Sequence, residues 1–573
     1  MKKYFLTLGL IALTAVGTSA LRAADTNAMG TMAAATTNAM AAATNAAPAG
    51  TNAPAAANGA PAWASLTNAP STEQRLESLE AYFQNGDPTA PYTDTNGNWT
   101  VNLALGPTII NTNLSNSTAR NFGYPGAGHN AWLLTSTALV LFMTLPGLAL
   151  FYGGLVRKKN ILSVCAQCFL ITGLTTILWI ICSYGMIFGG TGGLHGGATP
   201  GSGIVWGMTF TQGEAGHDWI AGIMGNPAVC WMFKGVTSAP NPGYSYWVSE
   251  NVYSMFQLMF AIITPALIVG SIAERMKFKA ILVFMTLWIL LIYNTQGHMV
   301  WGVNGIMNGC WNADAKVKGL DFAGGTVVHM SSGWSGLVLC IILGKRLGFG
   351  KENFAPHSVV LTFIGASMLW VGWYGFNSGS AVAADVIAAN AFTTTTIATA
   401  VASFVWPMWE WIVKGKPSVV GFSSGAVAGL VLITPACGYV LPSGALWIGL
   451  IAGTIPWFFC YKVKGWLGMD DALDAWSVHG IGGTCGALLT GMFARQAANP
   501  NLATNLSKYV TDSLFQPQLW EQIKTVLFSL ALFIPGTIII AYVTKLLVGL
   551  RPTEDVERAG LDEYEHGEPG YHE

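Results

Sequence analysis

The sequence predicts an all-α polytopic membrane protein with eleven transmembrane helices, arranged as two inverted five-helix repeats plus a C-terminal helix. Three observations support this prediction: an apolar composition, recurring apolar runs of spanning length, and a short motif that occurs twice. Of the 573 residues, 52% are hydrophobic and only 10% are charged, whereas a soluble domain carries about 25% charged residues. The formal net charge of −1 gives no reason to expect a nucleic-acid partner.

Apolar runs recur from residue 130 onward. Each is close to the roughly 20 residues with which an α-helix crosses about 30 Å of hydrocarbon. The predicted helices are 131–153, 162–188, 251–273, 280–302, 327–344, 357–376, 390–412, 418–434, 443–461, 477–494 and 521–548.

Basic residues are concentrated in alternate loops, and this bias predicts the orientation. The loops after the odd-numbered predicted helices carry Arg157, Lys158, Lys159, Arg275, Lys277, Lys279, Lys345, Arg346, Lys351, Lys414, Lys416, Lys462 and Lys464. The loops after the even-numbered helices carry only Lys234, Lys316, Lys318, Arg495 and Lys508. Because loops rich in Lys and Arg remain in the cytoplasm, we expect a periplasmic N-terminus and a cytoplasmic C-terminus.

The N-terminal residues 1–24 have the pattern of a signal peptide. Lys2 and Lys3 precede an apolar stretch over 4–16, and small residues suited to cleavage follow. The stretch is too short to span a membrane. Its presence agrees with a periplasmic N-terminus in a bacterial inner-membrane protein.

Residues 25–128 are predicted to form a periplasmic low-complexity extension. Its first part consists mainly of Ala, Asn, Thr, Met and Pro with almost no charge, a composition typical of disorder. A short helix near 71–85 would place Leu76, Leu79 and Phe83 on one face. The sequence does not indicate what the extension does.

The cysteines carry little information about function. Cys230 and Cys310 fall in predicted periplasmic loops, where a disulfide is chemically allowed, but the sequence leaves their pairing open. Cys165 and Cys168 form a lone CxxC pair without a second pair of metal ligands. We therefore predict no metal and no cofactor.

A motif of one Asp eight residues before a His occurs twice, 150 residues apart. It reads DFAGGTVVH from Asp321 to His329 and DALDAWSVH from Asp471 to His479. The copies lie at the starts of predicted helices 5 and 10, which run in opposite directions. Inverted repeats of this kind commonly place a transport site at their interface.

His329 and His479 lie inside apolar runs, where an ionisable side chain is costly and usually functional. Two facing imidazoles can share a proton and offer a donor or an acceptor to a small neutral solute. Helix-packing histidines bonded to backbone carbonyls are the alternative. A zinc site is a weaker alternative, because neither helix supplies a third or fourth ligand nearby.

Aromatic residues form a second cluster. Phe260 lies within predicted helix 3, Trp301 ends helix 4, and Phe376 stands near the end of helix 6, shortly before Ser380. Aromatic faces attract a small cation by about 0.5–2 kcal/mol. Belts of aromatic residues at the membrane interface are the ordinary alternative. Pro265, within the same predicted helix as Phe260, is expected to bend it.

Several long runs together resemble the Amt branch of the ammonium transporter/Rh superfamily. The resemblance covers about 130–570, and the runs occur in the family's order. They are LFMTLPGLALFYGGLVRKKN (141–160), GSIAERMKF (270–278), HMVWG (298–302), DFAGGTVVH (321–329), GKRLGFGKE (344–352), GWYGFNSGSA (372–381), GKPSVVGFSSGAVAGLVLITPACGYV (415–440) and DALDAWSVHGIGG (471–483). The resemblance implies a transporter domain over 129–550.

The resemblance implies a role for each candidate residue. Phe260, Trp301 and Ser380 would form an external site that recruits ammonium, and Phe260 and Phe376 would stack beneath it as a gate. Asp321 would stabilise the cation electrostatically and hold the nearby backbone. His329 and His479 would be the twin histidines of a narrow pore. Asp471 and Asp474 would be structural carboxylates on the cytoplasmic side.

The resemblance also implies a homotrimer in the lipid bilayer with one pore per subunit. Ammonium would be deprotonated and ammonia would cross, with separate transfer of the proton along the histidines as the favoured route. An ammonium sensor and an Rh-type gas channel are the alternatives; an enzyme is not expected, because no nucleophile–base spacing appears. The acidic tail 551–573 either docks a PII-type regulatory protein, as in the family, or is a solvated tail.

Overall fold

The computed structural model of the protein describes residues 92–93, 99–100, 126–189, 203–205, 208–210, 222–227, 229–238, 240–241, 244, 248–511 and 513–571. All of them belong to one compact unit, Asn68–Glu573. The predicted signal peptide 1–24, nearly all of the extension 25–128 and the short helix near 71–85 lie outside the described residues.

The architecture is predominantly helical. The main helices, numbered α1 to α11 in chain order, are Gly128–Leu155, Lys158–Phe188, Glu250–Ile272, Phe278–Trp301, Gly325–Leu343, Val359–Gly379, Val386–Lys414, Val419–Ile433, Pro442–Trp466, the continuous pair Trp476–Ile481 and Gly482–Phe493, and Pro517–Val548. Each coincides with one predicted helix, so the prediction of a polytopic helical membrane protein is confirmed.

Nine of these helices are long and apolar enough to cross a membrane, counted over the described part of the chain. The two exceptions are α8, which has only 15 residues, and α10, which does not meet this criterion of length and apolarity. The exact count of eleven spans therefore stays a prediction. Most differences from the predicted bounds lie at polar ends: α7 begins earlier than predicted because Asp385 caps it, accepting a hydrogen bond from the Ala388 N–H at 2.8 Å.

The connecting segments contain short strands and short helices. The strands β1 and β2, Tyr92–Thr93 and Trp99–Thr100, pair antiparallel, as do β3 and β4, Gly203–Val205 and Met208–Phe210. The remaining short helices are Lys158–Asn160, which opens α2, Trp231–Phe233, Leu502–Asn505, Glu554–Ala559 and Asp562–His566.

The helices differ in how deeply they are buried. In α3 and α5, 89% and 78% of the most apolar 18-residue window is buried inside the protein, against 33% in α2 and in α11. The first two are therefore central helices, whereas the other two present much of their apolar surface outward. That surface includes Phe169 in α2 and Phe528 and Leu546 in α11, each more than half exposed, as expected of residues that face lipid.

The loops after α1, α3, α5, α7 and α9 form one end of the bundle, here called the odd-loop end. A buried ion network joins four of them. Arg346 pairs with Asp470 at 2.7 Å and with Glu274 at 3.1 Å, and Arg157 pairs with Glu274 at 2.9 Å. Burial alone would raise the carboxyl pKa values, but the guanidinium groups outweigh it and hold the pKa of Glu274 and of Asp470 below their usual values.

The acidic C-terminal segment packs against this odd-loop end. Asp562 is 2% exposed, and its carboxylate accepts hydrogen bonds from the Leu162 and Ser163 N–H groups near the beginning of α2. Glu557, also 2% exposed, accepts a hydrogen bond from the Leu347 N–H at 2.9 Å. Two acidic side chains of this segment are therefore buried against the protein, whereas others, such as Glu563 and Glu568, are exposed.

Cys230 and Cys310 are free, buried thiols. The disulfide that the sequence left open is not formed between them. Cys310 instead packs in a small apolar cluster with Leu320, Tyr439 and Leu502.

Candidate functional site

A cavity of about 260 Å³ opens among the loops at the end opposite the odd-loop end. Phe260, Trp301, Asp321 and Ser380 all contribute to its wall. These residues come from α3, the last residue of α4, the loop before α5 and the residue that follows α6. The structure thus brings the predicted recruiting residues to one cavity, called the vestibule below.

The two large rings of the vestibule meet edge to face. The ring centroids of Phe260 and Trp301 are 5.8 Å apart with an interplanar angle of 83°, a preferred geometry for aromatic pairs. The indole N–H of Trp301 donates to the backbone carbonyl of Asp321 at 3.1 Å. This bond fixes the indole and leaves its π face free of that polar contact.

Asp321 caps the beginning of α5. Its Oδ1 accepts from the N–H groups of Gly324 and Gly325 at 2.7 and 2.6 Å, and its Oδ2 from those of Thr326 and Val327 at 2.7 and 3.2 Å. The Thr326 hydroxyl adds a fifth bond at 2.5 Å. Gly324 has a φ of 115°, which a residue with a side chain rarely adopts. All these partners are donors. The carboxylate therefore accepts every one of these hydrogen bonds and so holds the backbone in place.

Ser380 follows the last residue of α6, and its hydroxyl donates to the Phe376 carbonyl at 2.8 Å. Because a hydroxyl has one proton and two lone pairs, this bond uses the donor and leaves acceptor capacity. Since Ser380 lines the vestibule, that capacity is available to a cation there.

Phe260 and Phe376 stack beneath the vestibule. Their ring centroids are 4.2 Å apart at an angle of 35°, and both side chains are at most 1% exposed. α3 runs continuously from Glu250 to Ile272 through Pro265, and the bend at that residue stays a prediction. The predicted pair of gate rings is therefore in contact.

His329 and His479 meet in the middle of the bundle. Their Nδ1 atoms are 3.3 Å apart, and the two residues are only 1% and 3% exposed. In such a bond one nitrogen donates and the other accepts, so at least one imidazole is neutral. The Nε2 of His329 has no protein partner. No cluster of three or more metal-ligating side chains occurs in the described ranges.

Both histidines lie in π-helical turns at the beginnings of their helices, Gly325–Met330 in α5 and Trp476–Ile481 in α10. The caps correspond as well: Asp471 accepts from the N–H of Trp476, five residues on, as Asp321 does from that of Thr326. The repeat noticed in the sequence is therefore also a repeat of local structure.

Sequence reasoning missed some residues of the site. Trp373 stacks on His329 with ring centroids 5.4 Å apart at 17°. Tyr253 and Gln257 line the vestibule; they precede Phe260 by seven and three residues, a helical spacing that would have identified them. For Trp373 no local pattern distinguishes a pore wall from an ordinary buried indole.

Among the carboxylates near the odd-loop end, Asp471 is 1% exposed and accepts from the Ser271 hydroxyl at 2.7 Å. Asp474 forms an ion pair with Lys464. These contacts agree with the structural role expected of both side chains.

Fold and site together define a polytopic helical membrane protein of the channel-like kind. The model of the Ammonium Transporter Family matches residues 131–571, and this chain belongs to that family.

Similar proteins of known name cover most of the chain. The ammonium transporter of Bacillus subtilis (strain 168) is 40% identical over 436 residues, which cover 76% of this chain and 96% of the relative. That of Aquifex aeolicus (strain VF5) is 41% identical over 445 residues, covering 78% and 93%.

Solved structures agree with these relatives. The crystal structure of Saccharomyces cerevisiae Mep2 superposes with a TM-score of 0.62 at 28% identity and covers 81% of this chain and 95% of Mep2. A structure titled Sensor Amt Protein, 23% identical with a TM-score of 0.63 over 77% of this chain and 98% of its own, shares the fold.

Proposed function

We propose that this protein transports ammonium across the bacterial inner membrane. A continuous file of five rings carries the proposal: each ring lies within 6.1 Å, centroid to centroid, of the next. From the vestibule inward, the file is Trp301, Phe260, Phe376, His329 and His479. Its outer end suits a small cation and its inner end suits a small neutral hydrogen-bonding solute.

Recruitment takes place in the vestibule. The faces of Phe260 and Trp301 attract ammonium through their π electrons, and the Ser380 hydroxyl accepts a hydrogen bond from it. Asp321 adds the field of a buried carboxylate and keeps the surrounding backbone in place. Each contribution is small, but together they concentrate the cation above the gate.

The stacked pair of Phe260 and Phe376 then selects by charge. A bare cation between two apolar rings loses its hydration without replacement, whereas ammonia loses far less. Ammonium therefore gives up its proton to the pair of His329 and His479, the first of which lies next to Phe376, and ammonia passes on between the imidazoles. The proton crosses separately along His329 and His479, which makes transport electrogenic.

Membership of the family and the charge bias support a proposal for the surroundings of the pore. The odd-loop end, rich in Lys and Arg, faces the cytoplasm and the vestibule faces the periplasm. The chain assembles as a homotrimer in the bilayer with one pore per subunit. A PII-type protein is the proposed regulator, and it would meet the docked C-terminal segment at the odd-loop end.

Reconstitution tests the proposal directly. Purified protein in proteoliposomes should give a current on ammonium pulses and take up radiolabelled methylammonium, whereas protein-free liposomes and sodium pulses should give neither. Correctly folded protein that transports neither solute would contradict the proposal. Ammonium binding without transport would favour the sensor, and uptake without current would favour the gas channel.

Orientation has its own test. Protease added to intact spheroplasts should trim the N-terminal extension and spare a tag placed after residue 573. Loss of that tag under the same conditions would contradict the proposed topology.

A further inference from the structure

A chain of buried hydrogen bonds begins at Trp373, the residue whose ring stacks on His329. Trp373 presents its ring to His329 at 5.4 Å and 17°. Its indole N–H points away from the pair and donates to the hydroxyl of Thr434 at 2.9 Å. Thr434 follows the last residue of α8, and both Trp373 and Thr434 are at most 1% exposed.

The chain continues into two further helices. The Thr434 hydroxyl lies 2.7 Å from the Leu430 carbonyl and 3.2 Å from Oδ1 of Asn377. The Asn377 amide in turn donates to the Thr395 hydroxyl at 2.9 Å. Through these bonds α6, α7 and α8 hold the position of one hydroxyl.

Many threonines of this protein bond only to the carbonyl one turn earlier, and Thr544, with its hydroxyl 2.8 Å from the Ile540 carbonyl, is one of them. Thr434 differs because it also accepts the indole N–H. A buried indole N–H needs a partner, and within the bilayer no bulk water replaces a lost one. The direction of the Trp373 ring therefore depends on this hydroxyl.

We propose that Thr434 is a positioning residue for the pore. By fixing the Trp373 indole it keeps the flat face of that ring parallel to His329 and supports the contact between His329 and His479. It thereby helps to set which solutes pass the histidine pair. The selectivity part of this inference rests on the proposed function; the part that concerns ring position does not.

Thr434→Val separates this role from simple packing, because valine keeps the shape of threonine and removes only the hydroxyl. The indole N–H then loses its acceptor and the ring turns toward another one, so the stacking on His329 changes. Thr434→Ser restores the hydroxyl and should rescue. Thr544→Val is the matched control: it removes a buried hydroxyl that touches neither ring.

Two measurements are made on each purified variant. The first is the ¹⁵N NMR spectrum of labelled histidine, with His329 assigned by comparison with His329→Gln. The second is the ratio of ammonium to methylammonium transport in proteoliposomes. The loss of one buried hydrogen bond should change that ratio about two- to tenfold in Thr434→Val, with displaced His329 resonances. Thr434→Ser and Thr544→Val should match the unmodified protein in both measurements.

The outcomes separate the two proposals. If the unmodified protein transports nothing, the proposed function fails, and the His329 resonances still decide whether Thr434 positions the ring. Unchanged His329 resonances in folded Thr434→Val overturn the positioning role. Displaced resonances with an unchanged transport ratio confirm the positioning and overturn its link to selectivity. If Thr434→Val does not fold, the spectrum and ratio of Asn377→Leu, which removes the next link, decide instead.

Discussion

Gly333 and Gly483 hold equivalent positions in the two halves of the protein, each four residues after a histidine of the central pair. A Cβ atom on Gly333 would lie 2.0 Å from the backbone nitrogen of Gly480, and one on Gly483 would lie 2.9 Å from the Cβ of His329. The contact is reciprocal, since each half presents a glycine to the histidine-bearing turn of the other. This close approach of α5 and α10 lets the two imidazoles meet.

We expect Gly333→Ala to separate the two helices. The added methyl group meets backbone, which cannot rotate away, so overpacking should lower the free energy of unfolding by about 1–3 kcal/mol and weaken ammonium-dependent current. Thermal unfolding in detergent and current per folded molecule measure the two effects.

Gly173→Ala is the control, because nothing lies within 4 Å of a Cβ at that position of α2. It should be neutral or stabilising by about 0.5–1 kcal/mol, since alanine is the better helix former. Equal effects of the two substitutions would contradict the close-crossing argument.

His329→Ala should leave folding and assembly of the proposed trimer nearly intact and abolish or reroute the ammonium-dependent current. The reason is that a pore lumen tolerates a small cavity better than a packed core does. The polar path through the Nδ1–Nδ1 contact of 3.3 Å, in contrast, is broken by the substitution. His329→Glu should retain transport with altered selectivity, because a carboxyl group can also relay a proton. A helix-packing histidine would behave in the opposite way, with lost expression and unaltered transport per folded molecule.

Ser380→Ala should raise the half-saturating ammonium concentration severalfold, about the value of one hydrogen bond, with little change in the maximal rate. In the proposed function the hydroxyl accepts a hydrogen bond from ammonium in the vestibule and takes no part in the steps beyond the gate. Ser367→Ala is the matched control: the Ser367 hydroxyl, on α6, also donates to a carbonyl four residues earlier, that of Phe363, at 2.9 Å, but the side chain is exposed. Similar shifts in both variants would argue against a recruiting role.

The ion network at the odd-loop end predicts acid sensitivity. Burial would raise the pKa values of both carboxyl groups, but nearby arginines hold them down. Arg346 and Arg157 keep the pKa of Glu274 below its ordinary 4.5. Arg346 and Arg275 keep the pKa of Asp470 below its ordinary 3.8. Their stabilisation is fully present above those ordinary values and is lost as the pH falls through the lower values of the folded protein. The midpoint of thermal unfolding should therefore fall as the pH drops below about 4.

Arg346→Gln should destabilise the protein near neutral pH by about 3 kcal/mol, because it leaves two buried carboxylates without their shared partner. The same change should flatten the loss of stability in acid, because protonation then removes carboxylate charge that Arg346 no longer neutralises. The effect should fall mainly on Asp470, since Glu274 keeps its ion pair with Arg157 at 2.9 Å. Arg558→Gln removes an exposed guanidinium 3.9 Å from Glu352 and should do neither.

Asp562→Ala should release the C-terminal segment from α2. The carboxylate is the acceptor for two N–H groups near the beginning of that helix, and alanine supplies no acceptor. Limited proteolysis should then cleave within the tail faster than in the unmodified protein, whereas Glu568→Ala, at an exposed position, should leave the rate unchanged.

Long-range partners escaped sequence reasoning even where single residues did not. His329 and His479 stand out because an ionisable group in an apolar run is conspicuous by itself. Trp373 does not, because one more aromatic residue near the end of a membrane helix is ordinary. Its importance comes from His329, 44 positions away, and Thr434, 61 positions away.

By itself the sequence determined the class of this protein, the positions of its helices and the residues worth testing. Hydropathy, basic loops and repeated motifs are local properties, and the bilayer imposes one length and one polarity on every spanning segment. The tertiary structure alone decided that the rings form a file, that Glu557 and Asp562 hold the acidic tail against the protein, and that Cys230 and Cys310 remain free. It also decided that Gly333 and Gly483 each lie against the histidine-bearing turn of the other half. Each of these depends on the distance between groups far apart in the chain, which packing of the whole fold sets and no local pattern encodes.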